Sequence, residues 1–347
     1  MNQGKDTSDK SGEPEIPQVQ PSPENAPVSG FSLVLTLLAL FLLGIVFYFL
    51  MRGEPNETSI DKTYNLDDLQ KTAPNTILFN ELKPIPSGFK EPTCIATGSD
   101  NRIYAGGDRQ IRIFDSDGKK TGEIELQNQP TCIAVSGNND IFVGFPLQVS
   151  VFNPAGKETV SWKFETGSAI TGIAVSGKNV FIADAGKKMV HVKDLDSPEK
   201  EEFRIGVANK ETGDDGIVIY SAYMDVATDG NDLLMVVDPG RHRLKLYSYS
   251  GGLVSTWKSN PDIDMKGFSG CCNPSHIAIC PPGKVVTSEK SIPRIKLYSA
   301  TGDFVGVVAP PESFKPGQMP CDISVDKKGI VYAIDPATGN IRIFKEK

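Results

Sequence analysis

After residue 90 the chain alternates short apolar runs with polar turns, and the same order of events returns six times. In the first unit Pro92-Thr-Cys-Ile-Ala-Thr97 gives way to the turn Gly98-Ser-Asp-Asn101. A second run, Arg102-Ile-Tyr-Ala105, ends in Gly106-Gly-Asp108. A third alternates strictly, Gln110-Ile-Arg-Ile-Phe114, and stops at Asp115-Ser-Asp-Gly118. A fourth, Gly122-Glu-Ile-Glu-Leu126, closes the unit. Period-two alternation bounded by Gly, Asn and Asp predicts antiparallel hairpins, four strands to a unit.

The opening phrase recurs as Pro130-Thr-Cys-Ile-Ala-Val135, Ile170-Thr-Gly-Ile-Ala-Val175, Ser221-Ala-Tyr-Met-Asp-Val226, Pro274-Ser-His-Ile-Ala-Ile279 and Pro320-Cys-Asp-Ile-Ser-Val325. The third strand recurs as Val149-Ser-Val-Phe152, Val190-His-Val192, Leu244-Lys-Leu-Tyr247, Ile295-Lys-Leu-Tyr298 and Ile341-Arg-Ile-Phe344. Basic residues fill most of its outward slots, which predicts a solvated strand near a sheet's outer edge. His191 and His242 fall in such slots of two different units and are read as solvated. A repeat of about 40 to 50 residues built from four short strands predicts an all-β, six-bladed propeller.

These units resemble the NHL repeat. The matches are Gly172-Ile-Ala-Val175 with Phe181-Ile-Ala-Asp184, Met235-Val-Val-Asp238 with Leu244-Lys-Leu-Tyr247, and Val331-Tyr-Ala-Ile-Asp335 with Ile341-Arg-Ile-Phe344. The second unit departs, with Val143-Gly-Phe145 in place of the acidic ending, and the fifth carries Glu289. The resemblance implies a propeller of NHL-like blades over residues 90 to 347. It implies that Asp184, Asp238, Glu289 and Asp335 bond the backbone of neighbouring turns. It assigns no activity, because such propellers host lyases, lactonases and pure binding modules. Gly270-Cys-Cys-Asn-Pro274, followed by Thr287-Ser-Glu-Lys290 and Arg294-Ile-Lys-Leu-Tyr298, is similar to a signature of a bacterial, membrane-anchored subset of NHL-like proteins. That likeness adds no mechanism.

The last unit has only three strands before Lys347. The run Asn75-Thr-Ile-Leu-Phe-Asn80 is expected to supply the missing outer strand and join the two ends, placing the propeller at residues 75–347. Upstream, residues 31–51 form an uncharged apolar run long enough to span a bilayer as a helix. No basic leader or small-residue cleavage site accompanies it, so it reads as an uncleaved anchor. Residues 1–30, rich in Pro, Ser, Glu and Gln, read as a disordered tail, and 52–74 as a tether. A single-pass protein with an extracytoplasmic propeller, on the periplasmic side of a bacterial inner membrane, follows as the expectation. The net charge of −7 argues against nucleic acid as a partner.

The candidate chemistry lies where inner strands begin. Cys94, Cys132, Tyr223, His276 and Asp322 hold the third position of the phrase, and Cys321 the second. Inner strands line a propeller's channel, so Tyr223 and Asp322 are read as channel-lining. Cys271, Cys272, His276, Cys94, Cys132 and Cys321 form a candidate ligand set for a transition metal or an iron–sulfur centre. The adjacent Cys271 and Cys272 fit equally a vicinal disulfide or a redox dithiol. For Cys94 and Cys132, packing as small apolar groups stands beside the channel role, and Cys280 is read as packing. No phosphate loop, nucleophile elbow or paired zinc motif is present in the sequence. Two function classes remain. One is a membrane-anchored binding or scaffold module that takes a protein or other surface ligand on its loops. The other is an electron-transfer protein or a metal-dependent lyase- or hydrolase-like enzyme using the axial Cys/His cluster.

Overall fold

The computed structural model describes residues 34, 37–44, 71–258 and 265–347. The compact unit that ends at Lys347 is a propeller of six four-stranded antiparallel blades. From axis to rim, the first blade is Pro92–Thr97, Ile103–Gly107, Gln110–Phe114 and Lys120–Glu125. The second is Cys132–Val135, Ile141–Phe145, Gln148–Phe152 and Glu158–Lys163. The third is Ile170–Ser176, Asn179–Asp184, Met189–Asp194 and Glu201–Ile205. The fourth is Val226–Thr228, Leu233–Asp238, Arg243–Ser248 and Leu253–Lys258. The fifth is His276–Cys280, Lys284–Glu289, Arg294–Tyr298 and Phe304–Ala309. In the sixth, Asp322–Val325, Val331–Asp335 and Asn340–Glu346 are completed at the rim by Phe79–Glu81.

Each blade is covered on both faces, and the apolar core is divided among the gaps between blades. Tyr104 and Ile111 of the first blade pack with Ile133 and Val143 of the second, and the last gap joins Ile103 and Phe114 to Tyr332 and Ile341. This explains why second strands such as Ile141–Phe145 are buried at every residue. Both of their faces meet a neighbour, so the alternation that marks a half-buried strand is absent from them.

Ring closure is made at both circumferences. At the rim, Phe79–Glu81 runs antiparallel to Asn340–Glu346, with Asn80 opposite Lys345. There the Arg342 guanidinium donates from Nε and Nη2 to Glu81 Oε1 and Oε2, both at 2.7 Å. At the axis, the Ile95 N–H donates to Asp322 Oδ2 at 2.8 Å and the Thr97 N–H to Ser324 Oγ at 3.0 Å.

The solvated third strand is corrected in the fourth and fifth blades. Lys245 and Lys296 are fully buried, because the long connections before those blades fold over them. Lys245 meets Asp214 and donates to Gly216 O at 2.8 Å. Lys296 pairs with Glu289 at 2.5 Å and donates to Gly267 O at 2.6 Å. His191 is also buried, with Nε2 3.1 Å from Asp184 Oδ2, and His242 Nδ1 lies 2.6 Å from the Phe268 carbonyl.

Of the segment before the propeller unit, 37–44 is helical. No helix among the described residues is long and apolar enough to cross a membrane. The tail at 1–30, most of the span at 31–51 and the tether as far as residue 70 lie outside the described residues.

Candidate functional site

Six residues occupy the same register at the head of the inner strands: Cys94, Cys132, Gly172, Asp225, His276 and Asp322. The fourth differs from the sequence alignment, which puts Tyr223 there. The strand begins at Val226, so Asp225 takes that place and Tyr223 lies two residues before Asp225 in the approach loop. A signal for this exists in the chain: Val226-Ala-Thr228 repeats the Ile95-Ala-Thr97 that follows Cys94. Aligning the fourth unit on that triplet, and not on the apolar pair before it, puts Asp225 in the ring.

Asp225, His276 and Asp322 converge, with one ligand atom from each lying within 4.8 Å of the others. His276 Nδ1 stands 3.6 Å from Asp225 Oδ2 and 3.4 Å from Asp322 Oδ1. Backbone amides fix both carboxylates. Asp225 Oδ1 accepts from its neighbour's Val226 N–H at 2.8 Å, and Oδ2 from the Ile277 N–H of the next blade at 3.0 Å. Asp322 does the same with Ile323 at 2.8 Å and with Ile95 at 2.8 Å. Gly172 makes room for this, since a Cβ there would lie 2.5 Å from Asp225 Oδ1. Each carboxylate oxygen therefore spends one lone pair on a strand and keeps the other for the axis.

The electrostatics follow from burial and proximity. Burial and the Asp225 carboxylate push Asp322 up to about 6 against the opposing pull of His276. Burial works against a charged His276, but the two carboxylates outweigh it and raise its pKa. Two acids and one imidazole this close together favour a shared proton or a cation.

Above this cluster the channel opens into a mouth of about 600 Å³. Its walls are largely apolar, with Pro92, Pro130, Ile170, Met224, Met319 and Ile334 among them, and His276 and Asp322 reach its surface. Tyr223 stands at the rim with its ring edge-on to His276, centroids 6.0 Å apart. The Lys290 ammonium lies 4.7 Å from the centre of that ring and donates to Ser221 Oγ at 2.7 Å. Beyond the cluster, toward the strand ends, a smaller cavity of about 230 Å³ is lined by Asp225, Asp322, Thr228 and Ser324. Asp322 borders both cavities, so the cluster sits at the constriction between them.

The cysteines are placed differently. Cys94 and Cys132 are buried, and each thiol packs against a glycine of the next strand, Gly106 and Gly144 respectively, where a Cβ would meet the sulfur. Burial raises the Cys94, Cys132 and Cys321 thiols far above the ordinary value, which favours the neutral thiol. Cys280 is buried in the gap between the fifth and sixth blades. Cys271 is exposed and Cys272 buried, with sulfurs 3.3 Å apart. Among the described residues no cysteine joins a group of three ligand-type side chains as close as the Asp225–His276–Asp322 group. The acidic residues after the second strands mostly bind turns: Asp184 accepts from Ala169 and Lys187, Asp238 from Val218, and Asp335 from Ala337. Glu289 instead pairs with buried Arg294 and Lys296.

No protein-family model matches the chain, and no curated protein matches it. Solved structures do. A streptogramin B lyase is 14% identical, with a TM-score of 0.55, over 78% of this chain and 97% of that one. Virginiamycin B lyase from Staphylococcus aureus is 14% identical, with a TM-score of 0.52, over 74% of this chain and 80% of that one. A protein of unknown function from Bacteroides thetaiotaomicron is 12% identical, with a TM-score of 0.58, over 75% and 70%. At these identities the likeness carries the six-bladed propeller and nothing finer.

Proposed function

We propose that this is a membrane-tethered binding propeller that takes a small, largely apolar ligand bearing a cationic or hydrogen-bond-donating group in its axial mouth. The observation that carries the reading is one cavity of about 600 Å³ whose walls are apolar and whose floor presents Asp322 and His276. An apolar body would gain from the Pro, Ile and Met walls, and a donor would meet the Asp322 carboxyl group beside His276. The tether rests on the uncharged apolar run at 31–51, and the repeat is read as a divergent NHL unit on the motifs quoted above.

A second reading, a metal-dependent lyase- or hydrolase-like centre, is favoured by the Asp225–His276–Asp322 group itself. One imidazole and two carboxylates suit a divalent cation such as magnesium, manganese or zinc, with the three side chains holding it and polarising whatever enters the mouth. A ligand set built on the cysteines would need to draw Cys271 and Cys272 toward His276.

Thermal unfolding of the full chain in detergent separates the readings. It is followed with alkyl and aryl amines, with apolar carboxylates of matched size, and with Mg²⁺, Mn²⁺ and Zn²⁺ salts. The first reading expects stabilisation by the amines alone, lost in Asp322→Asn. Stabilisation by a metal salt, lost in His276→Ala, supports the second. Equal stabilisation by amines and carboxylates, unaffected by either substitution, overturns both.

A further inference from the structure

We infer that Cys271 and Cys272 form a redox modification site, a vicinal dithiol that exchanges with small-molecule disulfides. The inference is independent of what the axial mouth binds. The two sulfurs lie 3.3 Å apart in a tight turn before the fifth blade. A disulfide bond needs about 2.05 Å, so the two sulfurs already touch, and the turn between them would adjust as the bond closes.

The two thiols have unequal access, and that sets their roles. Cys271 is exposed, whereas Cys272 is 2% exposed and held at φ +58°. The turn around them is fixed by Asn273, whose amide nitrogen donates to Ser269 O at 2.7 Å and Lys290 O at 3.0 Å, while its oxygen accepts from the Lys290 N–H at 2.9 Å. The dithiol is thus presented on a rigid frame, one thiol facing solvent and its partner behind it. The hydrogen bond and charge of Cys272 raise Cys271, and the Lys290 ammonium acts against them. Lys290 is the same side chain that caps the Tyr223 ring at the mouth.

With glutathione disulfide as oxidant the exchange balances. The Cys271 thiolate attacks one sulfur of glutathione disulfide, the S–S bond breaks, and one glutathione thiolate leaves. Cys272 then attacks the Cys271 sulfur of the mixed disulfide and expels the second glutathione. The protein loses two electrons and two thiol protons, and two glutathiones carry them away. A buried resolving thiol beside an exposed attacking one is the arrangement that shortens the life of the mixed disulfide. The other four cysteines, Cys94, Cys132, Cys280 and Cys321, are buried and stay out of the exchange.

The test is intact-mass and peptide-mapping mass spectrometry of the reduced full chain in detergent after incubation with glutathione disulfide. The expected product has lost two hydrogens, retains no glutathione, maps to a Cys271–Cys272 link and reverts with dithiothreitol. Cys271→Ser should give no product, and Cys272→Ala should trap the glutathione adduct on Cys271. Raising the pH should speed the exchange. Should Cys272→Ala fail to fold, capture of one phenylarsine oxide by the wild type and none by Cys271→Ser tests the same pair. A stable glutathione adduct on wild-type Cys271, no reaction at all, or a link through any of the four buried cysteines overturns the inference.

Discussion

Replacing Asp322 by Asn should change how the propeller's stability depends on pH, with a sign and size that follow from the axial cluster. In the folded protein Asp322 titrates at about 6, against an ordinary value of 3.8. At 1.36 kcal/mol per pH unit, that difference amounts to roughly 3 kcal/mol. The folded pKa is the higher one, so the folded state holds the proton more tightly. The corresponding stability is fully present below the ordinary value and is lost as pH rises through about 6. His276, whose pKa is also raised, adds a loss of the same sign as pH rises through its folded value. The amide of Asp322→Asn carries no titrating proton, so the variant escapes the Asp322 part of this loss. Urea denaturation of both proteins at pH 4 to 8 measures the difference, and groups elsewhere cancel. The wild type should lose about 2–3 kcal/mol relative to Asp322→Asn across that range. At the acid end it should be the more stable of the two, because Asn keeps one acceptor where Ile95 and Ile323 both donate. A difference that is flat in pH would refute the argument. A difference of opposite slope would also refute it, and would mean that the anion of Asp322 is favoured, as a bound cation requires.

Three further outcomes follow from the packing and the sequence. Gly144→Ala would place a Cβ against the Cys132 sulfur and should cost about 1–3 kcal/mol in urea denaturation, with most of that recovered in the Gly144→Ala/Cys132→Ala double variant. Glu81→Gln weakens the paired hydrogen bonds from Arg342 at the rim closure and should cost about 1–2 kcal/mol, whereas deleting 71–86 should expose Asn340–Glu346 as an edge and cause aggregation, read by light scattering. The full chain should sediment with membranes and resist extraction at alkaline pH, while a chain lacking residues 1–60 should remain in the supernatant; equal partitioning would refute the anchor at 31–51.

What the sequence discloses here depends on whether a feature is written in local pattern or in the meeting of distant strands. Blade number and strand order are local, since the turn residues and the alternation within each unit carry them, and six blades are observed. The burial of Lys245 and Lys296 is not local. A basic residue in an alternating strand looks solvated until a long connection folds over it, and only the length of the insertions before the fourth and fifth blades hints at that. The axial site lies between these cases. His276 and Asp322 are legible because their units keep the phrase intact. Asp225 is hidden because an apolar residue, Met224, precedes it in a phrase whose strand begins at Val226. A shift of two residues preserves the in–out alternation of a strand, so periodicity alone cannot choose between the two registers. The turn can: Thr228-Asp-Gly-Asn231 after the fourth inner strand answers Thr97-Gly-Ser-Asp100 after the first. Turn chemistry is therefore the better anchor for aligning repeats of this kind. Applied to all six units, it puts two carboxylates and an imidazole at the axis, and leaves Tyr223 at the rim.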